Sequence, residues 1–478
     1  MSEQHPERRD AAQAVQTLDA PNVHYISPQT FIGITGNRPI PARNPLESAK
    51  CPPQAMKRAR LCALQQIGVV RVLPRRIPRQ LQRGIMLHRK RILFAINSLA
   101  GGGAERVLAT LLGGSEPWRA RYDIHLALLD DEPRAYEVPE WVAVHQLDAQ
   151  HKLLPSLTQL RALTRRLAPD ATLSFLTRAN IANAWAMAGR RRPWLISERI
   201  NTSAHLGSAF AAKAMVRLVY PRAAHVIAVS EGVVDDLAAN FGVARGRMSA
   251  IANPVDHRRI AELAAEPPAF VPADPYIVSA GRLMPNKNFP LLLRAYARAA
   301  PAERLVILGE GPERGALEAL AASLGIADRV DMPGFVANPF AVVARAQVYA
   351  MPSNAEGFPN GLVEAMACGV PVVATNCASG PSEILADRPR DTITGGIDVD
   401  AGALVPTDDV PAFAAALHRV LAEPQRSECG KRARARSLAY GVGQAAANYW
   451  ARIEATLARP RAGAEFKDIA ASSPGVIS

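Results

Sequence analysis

From Arg89 onward the chain alternates short apolar runs rich in β-branched residues with longer amphipathic stretches. One strand candidate appears every roughly 20 to 30 residues, the rhythm of βα units, and strands joined through helices form parallel sheets. A first series of strands is expected at 91–96 (RILFAI), 123–129, 142–147, 171–176, 194–198, 224–229 and 247–252. A second is expected at 276–280 (YIVSA), 304–308 (RLVIL), 329–331, 347–351, 371–374 and 402–405. Between them, residues 256–275 hold four prolines and an isolated helical patch, which reads as a linker. Helical patterns at 409–422 and 441–457 close the chain. The expectation is an α/β protein with two doubly wound domains.

Composition narrows the class. With 49% hydrophobic and 21% charged residues, disorder throughout is excluded. Arg, Lys, Pro or Gly interrupts every apolar run before the roughly 18 residues that a membrane-crossing helix needs. Five cysteines without a CxxC pair (Cys51, Cys62, Cys368, Cys377, Cys429) suggest neither a disulfide framework nor a zinc cluster, and fit a reducing cytoplasm. The start, MSEQHPERRD, lacks the pattern of a secretory signal. The net charge is +13, but residues 1–85 alone carry 13 Lys and Arg against 5 Asp and Glu, together with ten prolines and no sustained period. That segment reads as a mostly disordered basic extension, or as the result of a start codon placed too far upstream, since Met86 directly precedes the first strand. Because the excess is local, it is weak ground for a nucleic-acid partner.

The most informative stretch is EGFPNGLVE, Glu356 to Glu364, between an apolar strand and the helical run LVEAMACG. Gly357 and Gly361 let backbone amides approach a ligand, and Asn360 is a natural N-cap for a helix starting near Gly361. Such a helix points its free N–H groups at the carboxyl ends of the strands, where α/β sheets bind ligands. Glu364 in the first turn can accept hydrogen bonds from both hydroxyls of a ribose, and Glu356 can reach a sugar beyond a diphosphate. The plain alternative for Glu364 is an acid complementing the helix dipole. Directly after the strand YIVSA stand Gly281, Arg282 and Lys287, two cations that match a diphosphate, with solvated surface charges as the alternative. GEGPER, with Gly309 and Gly311, follows another strand and offers flexible backbone to a base or phosphate. In the first half, Gly101, Gly102 and Gly103 form a glycine loop before an amphipathic helix, an anion-facing helix start that fits neither GxGxxG nor a P-loop.

Taken together and in order, NSLAGGGAERV, SERIN, AVSEGV, IANPVD, SAGRLMPNKNF, LGEGPER, EGFPNGLVEAMACGVPVVATN, SGPSEIL and GALVP resemble the retaining family 4 glycosyltransferases over roughly residues 90–455. The resemblance implies the GT-B architecture, two Rossmann-like domains facing a cleft. It implies limits of 1–88 for the extension, 89–260 for an acceptor-binding domain, 261–440 for a nucleotide-sugar-binding domain, and 441–478 for a helix packing back on the first domain and a frayed tail. By analogy, Arg282 and Lys287 hold the donor diphosphate, Glu364 the ribose, and Glu356 with the amides of Gly357 to Gly361 the transferred sugar, with Phe358, Pro359, Asn360 and Leu362 counted among the donor-binding residues. Gly281, Gly309 and Gly311 would line the donor pocket, and Gly102 and Gly103 would face the reaction centre.

SFLTRAN followed by ISERIN resembles a bacterial subgroup that builds surface polysaccharides, often adding hexoses or N-acetylhexosamines to lipid-linked acceptors. The implied activity is a hexosyltransferase with a nucleoside diphosphate sugar, UDP favoured over GDP, as donor and a glycan hydroxyl as acceptor. Many relatives carry a His after the fifth strand. Here Ser197, Glu198 and Arg199 stand there, so a catalytic His cannot be carried over, and Glu198 and Arg199 either contact sugar or acceptor or form a buried ion pair. No cofactor or metal is expected. Asp398 and Asp400 match DxD literally but fall in a Gly-rich loop remote from the cations, and fixed cations make a metal unnecessary. Segments 155–168 and 205–222 and the loop Arg190, Arg191, Arg192, Pro193, Trp194 combine apolar and basic residues, which fits either peripheral contact with an anionic membrane or half-buried helices. The competing readings are a GT-B-like nucleotide-sugar epimerase and a non-catalytic basic adaptor for membrane or nucleic acid.

Overall fold

The first half of the chain folds as β1 (Lys90–Ile96), α1 (Gly103–Gly113), β2 (Tyr122–Leu128), β3 (Ala143–Gln146), α2 (Leu153–Leu167), β4 (Ala171–Phe175), α3 (Thr177–Met187), β5 (Trp194–Glu198), α4 (Thr202–Leu206), α5 (Phe210–Val219), β6 (His225–Ala228), α6 (Glu231–Phe241), β7 (Met248–Ala250) and α7 (His257–Ala265). The second folds as β8 (Tyr276–Ala280), α8 (Phe289–Ala299), β9 (Arg304–Leu308), α9 (Arg314–Ser323), β10 (Val330–Gly334), α10 (Pro339–Val343), β11 (Val348–Met351), α11 (Asn360–Ala367), β12 (Val372–Thr375), α12 (Pro381–Ala386), β13 (Ile397–Val399), β14 (Gly402–Val405), α13 (Val410–Leu421), α14 (Gln425–Ser437) and α15 (Val442–Ala458). This computed structural model describes residues 89–270, 272 and 274–459, all within one compact unit. The extension with Met86 and the tail beyond 459 lie outside the described residues.

Both expected parallel sheets are present. Their orders are β3-β2-β1-β4-β5-β6-β7 and β10-β9-β8-β11-β12-β14-β13. Each series therefore starts in mid-sheet, with a reversal of direction between β1 and β4 and between β8 and β11, the point at which a crevice opens at the carboxyl ends. The central strands are continuous apolar runs because helices cover both faces. Ile92 to Ile96 are all 1% exposed or less. One strand was not legible. β13 pairs antiparallel with β14, Val399 opposite Gly402, where the expectation was a loop. A connection of two residues is too short for a parallel crossover, so the chain turns back as a hairpin.

The linker patch is α7, capped by Asp256 accepting from Arg259 N at 2.9 Å. It is bound to the second half: Asn338 Nδ2 donates to Leu263 O at 2.8 Å and Arg345 Nη1 to Ala264 O at 3.1 Å. The chain then returns. α15 lies on the first half, where Trp450 stacks on Trp118 at 5.6 Å, meets Tyr122 at 4.8 Å and donates its indole N–H to Ser115 Oγ at 2.9 Å. The outgoing and returning passages are tied together, Val255 N donating to Tyr440 O at 2.7 Å. The two lobes are thus joined by a paired, not a single, connection.

Candidate active site

The C-terminal wall is built on the loops after β8, β9 and β11. Gly309 has φ +136°, and a Cβ there would collide with the carbonyl of Gly281; a Cβ on Gly311 would strike the backbone of Leu283. Leu283 N donates to Glu310 O at 2.9 Å and Glu313 N to Leu283 O at 3.2 Å. The glycines of GEGP therefore have a structural cause beside any ligand: they let the 309–313 loop press on the backbone that carries Arg282. Glu310 is held by Arg314 at 2.7 Å.

Lys287 ends a 3-10 turn, and Asn288, at φ +48°, caps α8 by accepting from Leu291 N. Lys287 Nζ lies 2.6 Å from Glu356 Oε1, which also accepts from Ser353 Oγ at 2.7 Å. Two of the expected site residues are thus brought into direct contact. Arg282 is exposed and has no ion-pair partner among the described residues. Its charge is felt by Glu105 of α1, whose carboxyl is pushed up by burial and pulled back in part by Arg282.

α11 begins at Asn360, one residue earlier than expected, with Pro359 as N-cap. Asn360 is itself the first helical residue, and its Oδ1 accepts from Asn253 Nδ2 of the other lobe at 2.5 Å. A Cβ on Gly361 would lie 2.5 Å from the Tyr349 hydroxyl, so this glycine is required by packing. Phe358 and Leu362 are buried core residues, Phe358 lying edge-on to Tyr440 at 5.5 Å, so only their backbone can serve a ligand. Glu364, one turn into α11, is paired with Arg106 of α1 across the cleft. Burial raises the Glu364 carboxyl, and Arg106 opposes that rise.

On the N-terminal wall, a Cβ on Gly102 would collide with the Glu105 carboxylate. The helix start expected to face an anion is thus covered by its own first-turn acid. Gly103 faces Asn360, whose Nδ2 would lie 3.3 Å from a Cβ. Glu198 and Arg199 do not pair with each other through their side chains. Glu198, fully buried, accepts from Tyr220 Oη at 2.5 Å and from Arg199 N at 2.9 Å, and burial pushes its carboxyl up to about 7. Arg199 donates to Tyr449 Oη at 2.6 Å and Ser197 Oγ at 3.2 Å, over the Phe175 ring, while its Nε and Nη2 have no partner among the described residues. Both side chains lie beneath the wall, and the Arg199 backbone meets Gly357, whose carbonyl accepts from Ser230 Oγ at 2.8 Å.

The DxD pair is elsewhere. Asp398 is on β13 and bound by Arg419 at 3.0 Å, and Asp400 is bound by Arg432 at 3.0 Å. In the basic loop, Arg190 donates to Thr164 O at 3.0 Å and Arg192 pairs with Asp170 at 3.3 Å, holding the end of α2. Sequence reasoning had assigned no role to Arg106, Ser230, Asn253 or Glu383. All four stand in motifs already quoted (GGGAERV, AVSEGV, IANPVD, SGPSEIL), and the order of those motifs was the only signal.

Residues 101–259 match the family model described as Glycosyltransferase Family 4, and residues 262–436 the one described as Glycosyl transferases group 1. The N-acetylgalactosamine-N,N'-diacetylbacillosaminyl-diphospho-undecaprenol 4-alpha-N-acetylgalactosaminyltransferase of Campylobacter jejuni is 35% identical over 307 residues, which cover 61% of this chain and 82% of that protein. This chain belongs to the family 4 glycosyltransferases. A second Campylobacter jejuni protein, an alpha-1,4-N-acetyl-D-galactosaminyltransferase acting on a diNAcBac-PP-undecaprenol glycan, is 28% identical over 69% of this chain and 89% of its own. Among solved structures, HepE of Anabaena in complex with UDP superposes with a TM-score of 0.61 at 22% identity, covering 76% of this chain and all of that one. The lipopolysaccharide outer core galactosyltransferase WaaB does so with a TM-score of 0.59 at 19% identity, covering 76% and 99%. These likenesses show the GT-B fold, and the glycosyltransferase is a transferase enzyme of that architecture.

Proposed function

We propose that this glycosyltransferase moves a hexose or N-acetylhexosamine from a UDP-sugar to a glycan hydroxyl of a lipid-linked acceptor, with retention at the anomeric carbon, in surface polysaccharide synthesis. One observation carries the reading: Arg282, the Lys287–Glu356 pair, the amino end of α11 and Glu364 converge at the carboxyl ends of β8 and β11. Arg282 and the α11 amides bind the diphosphate, with Lys287 adding its charge beside Glu356. Charged hydrogen bonds of this kind are worth about 1.5–3 kcal/mol each. Ribose hydroxyls take Glu364 in place of Arg106, and Glu356 orients the sugar. As the glycosidic bond to the diphosphate breaks, these cations stabilise the departing phosphate. The acceptor hydroxyl attacks the same face, and a departing phosphate oxygen takes its proton. In this scheme the fixed cations do the work of a metal.

The preference for UDP and a lipid-linked acceptor is supported by the names of the Campylobacter jejuni relatives and by UDP in the HepE structure. Peripheral membrane contact is supported by α5, which exposes Phe210 (84%) and Leu218 (54%) beside Lys213, although no helix among the described residues is long and apolar enough to cross a membrane. The test is transfer from a panel of UDP and GDP sugars to a polyisoprenyl diphosphate glycan, with the product anomer read by NMR. Transfer from a GDP sugar alone, an inverted product, or free epimerised sugar without acceptor overturns the reading.

A further inference from the structure

The two lobes also meet beside the donor loop, between α6 and α12. α6 is 11 residues long, and Ser230 at its N-cap makes no side-chain capping bond, its hydroxyl donating instead to Gly357 O of the donor loop. The first-turn amides are taken instead by the opposite lobe: Glu231 N donates to Glu383 Oε2 at 2.7 Å and Gly232 N to Glu383 Oε1 at 2.9 Å. A carboxylate of α12 thus occupies the positive end of an N-terminal-lobe helix, a charge-assisted and two-pronged contact. The fit is close. A Cβ on Gly232 would lie 2.9 Å from both Ala378 O and Ser379 Oγ, and Asn201 Nδ2 donates to that Ser379 Oγ at 3.2 Å. The gripped segment abuts the donor loop, a Cβ on Gly380 lying 2.6 Å from Pro359 Cδ.

Across the cleft, Arg106 covers Glu364 and Asn253 covers Asn360. A donor reaches those groups only when the lobes part, whereas transfer needs both walls together. We propose that Glu383 is a positioning residue: its carboxylate, seated on the amino end of α6, sets the closed spacing of the lobes and with it the place of the donor loop. The proposal rests on the glycosyl-transfer reading only through its kinetic readout.

The test uses the full chain with dyes placed through unnatural amino acids at the exposed Glu140 and Arg298, one on each lobe. Glu383→Ala is expected to lengthen and broaden the interlobe distance without ligand. It should lower kcat about tenfold or more, as misplacement of reacting groups does, with UDP affinity and thermal midpoint close to wild type. Glu383→Gln, which keeps an acceptor oxygen, is expected to recover part of both. Gly232→Ala is expected to open the lobes from the other side with Glu383 intact. An unchanged distance distribution in Glu383→Ala overturns the proposal, as does a kcat loss that follows a fall in thermal midpoint in all three variants. If no sugar is transferred even by wild type, the functional reading fails while the distances still decide the proposal.

Discussion

The two walls of the cleft treat charge in opposite ways. On the C-terminal wall Arg282 is exposed and unpaired among the described residues, and Lys287 and Glu356 form a partly open pair at 2.6 Å. On the N-terminal wall Glu198 and Arg199 are 0% and 7% exposed; Glu198 accepts from Tyr220, and Arg199 donates to Ser197 and Tyr449 through Nη1. A buried charge must be compensated locally or cost several kcal/mol, so the second set serves the scaffold and ties α15 to β5. The first set leaves its charge for a ligand. Neighbouring charges at strand ends therefore divide by burial, not by residue type.

This contrast can be broken at either wall. The largest effect belongs to the open set: Lys287→Ala and Arg282→Ala are each expected to lower transfer about 100- to 1000-fold, the scale for removing a group that stabilises developing charge, with unchanged thermal midpoints, and Glu364→Ala is expected to weaken transfer by removing the ribose contact. Near-normal turnover in purified Lys287→Ala and Glu364→Ala would remove the distinction. The next concerns the buried set. Because the folded-state value of Glu198 is raised to about 7 from 4.5, its contribution to stability is fully present below 4.5 and is lost as pH rises through 7. Urea unfolding at several pH values should show this loss, about 3 kcal/mol, and Glu198→Gln should flatten that part of the curve while retaining transfer.

A smaller effect is expected where the walls touch. Arg106→Met frees Glu364 from a partly exposed ion pair, so calorimetry should find UDP bound about two- to fivefold more tightly, in line with about 0.2–1 kcal/mol for such pairs. Weaker binding would instead make Arg106 a donor contact. Finally, excess EDTA should leave the initial rate of transfer unchanged. Loss of activity restored by Mg²⁺ or Mn²⁺ would mean that Arg282 and Lys287 do not suffice for the diphosphate.

The strands, their parallel pairing and the residues at their carboxyl ends were legible in the sequence because a strand covered on both faces writes a continuous apolar run, and loops directly after such runs fall at the crevice. Glu356, Glu364, Arg282 and Lys287 could therefore be placed near one another before any coordinate was known. The three-residue β13 escaped because so short a segment has no period to detect. The reason for Gly309 and Gly361 also escaped, since the atoms that forbid a Cβ there belong to Gly281 and Tyr349. Arg106 and Glu364 stand 258 residues apart on helices of different lobes, and Glu383 meets α6 across 152. Local pattern determined the elements, the two sheets and the charged ends of their strands. Which charges were buried, which were left open, and which residues of one lobe close on the other were decided by tertiary packing, because desolvation and hydrogen bonding depend on neighbours that sequence spacing does not encode.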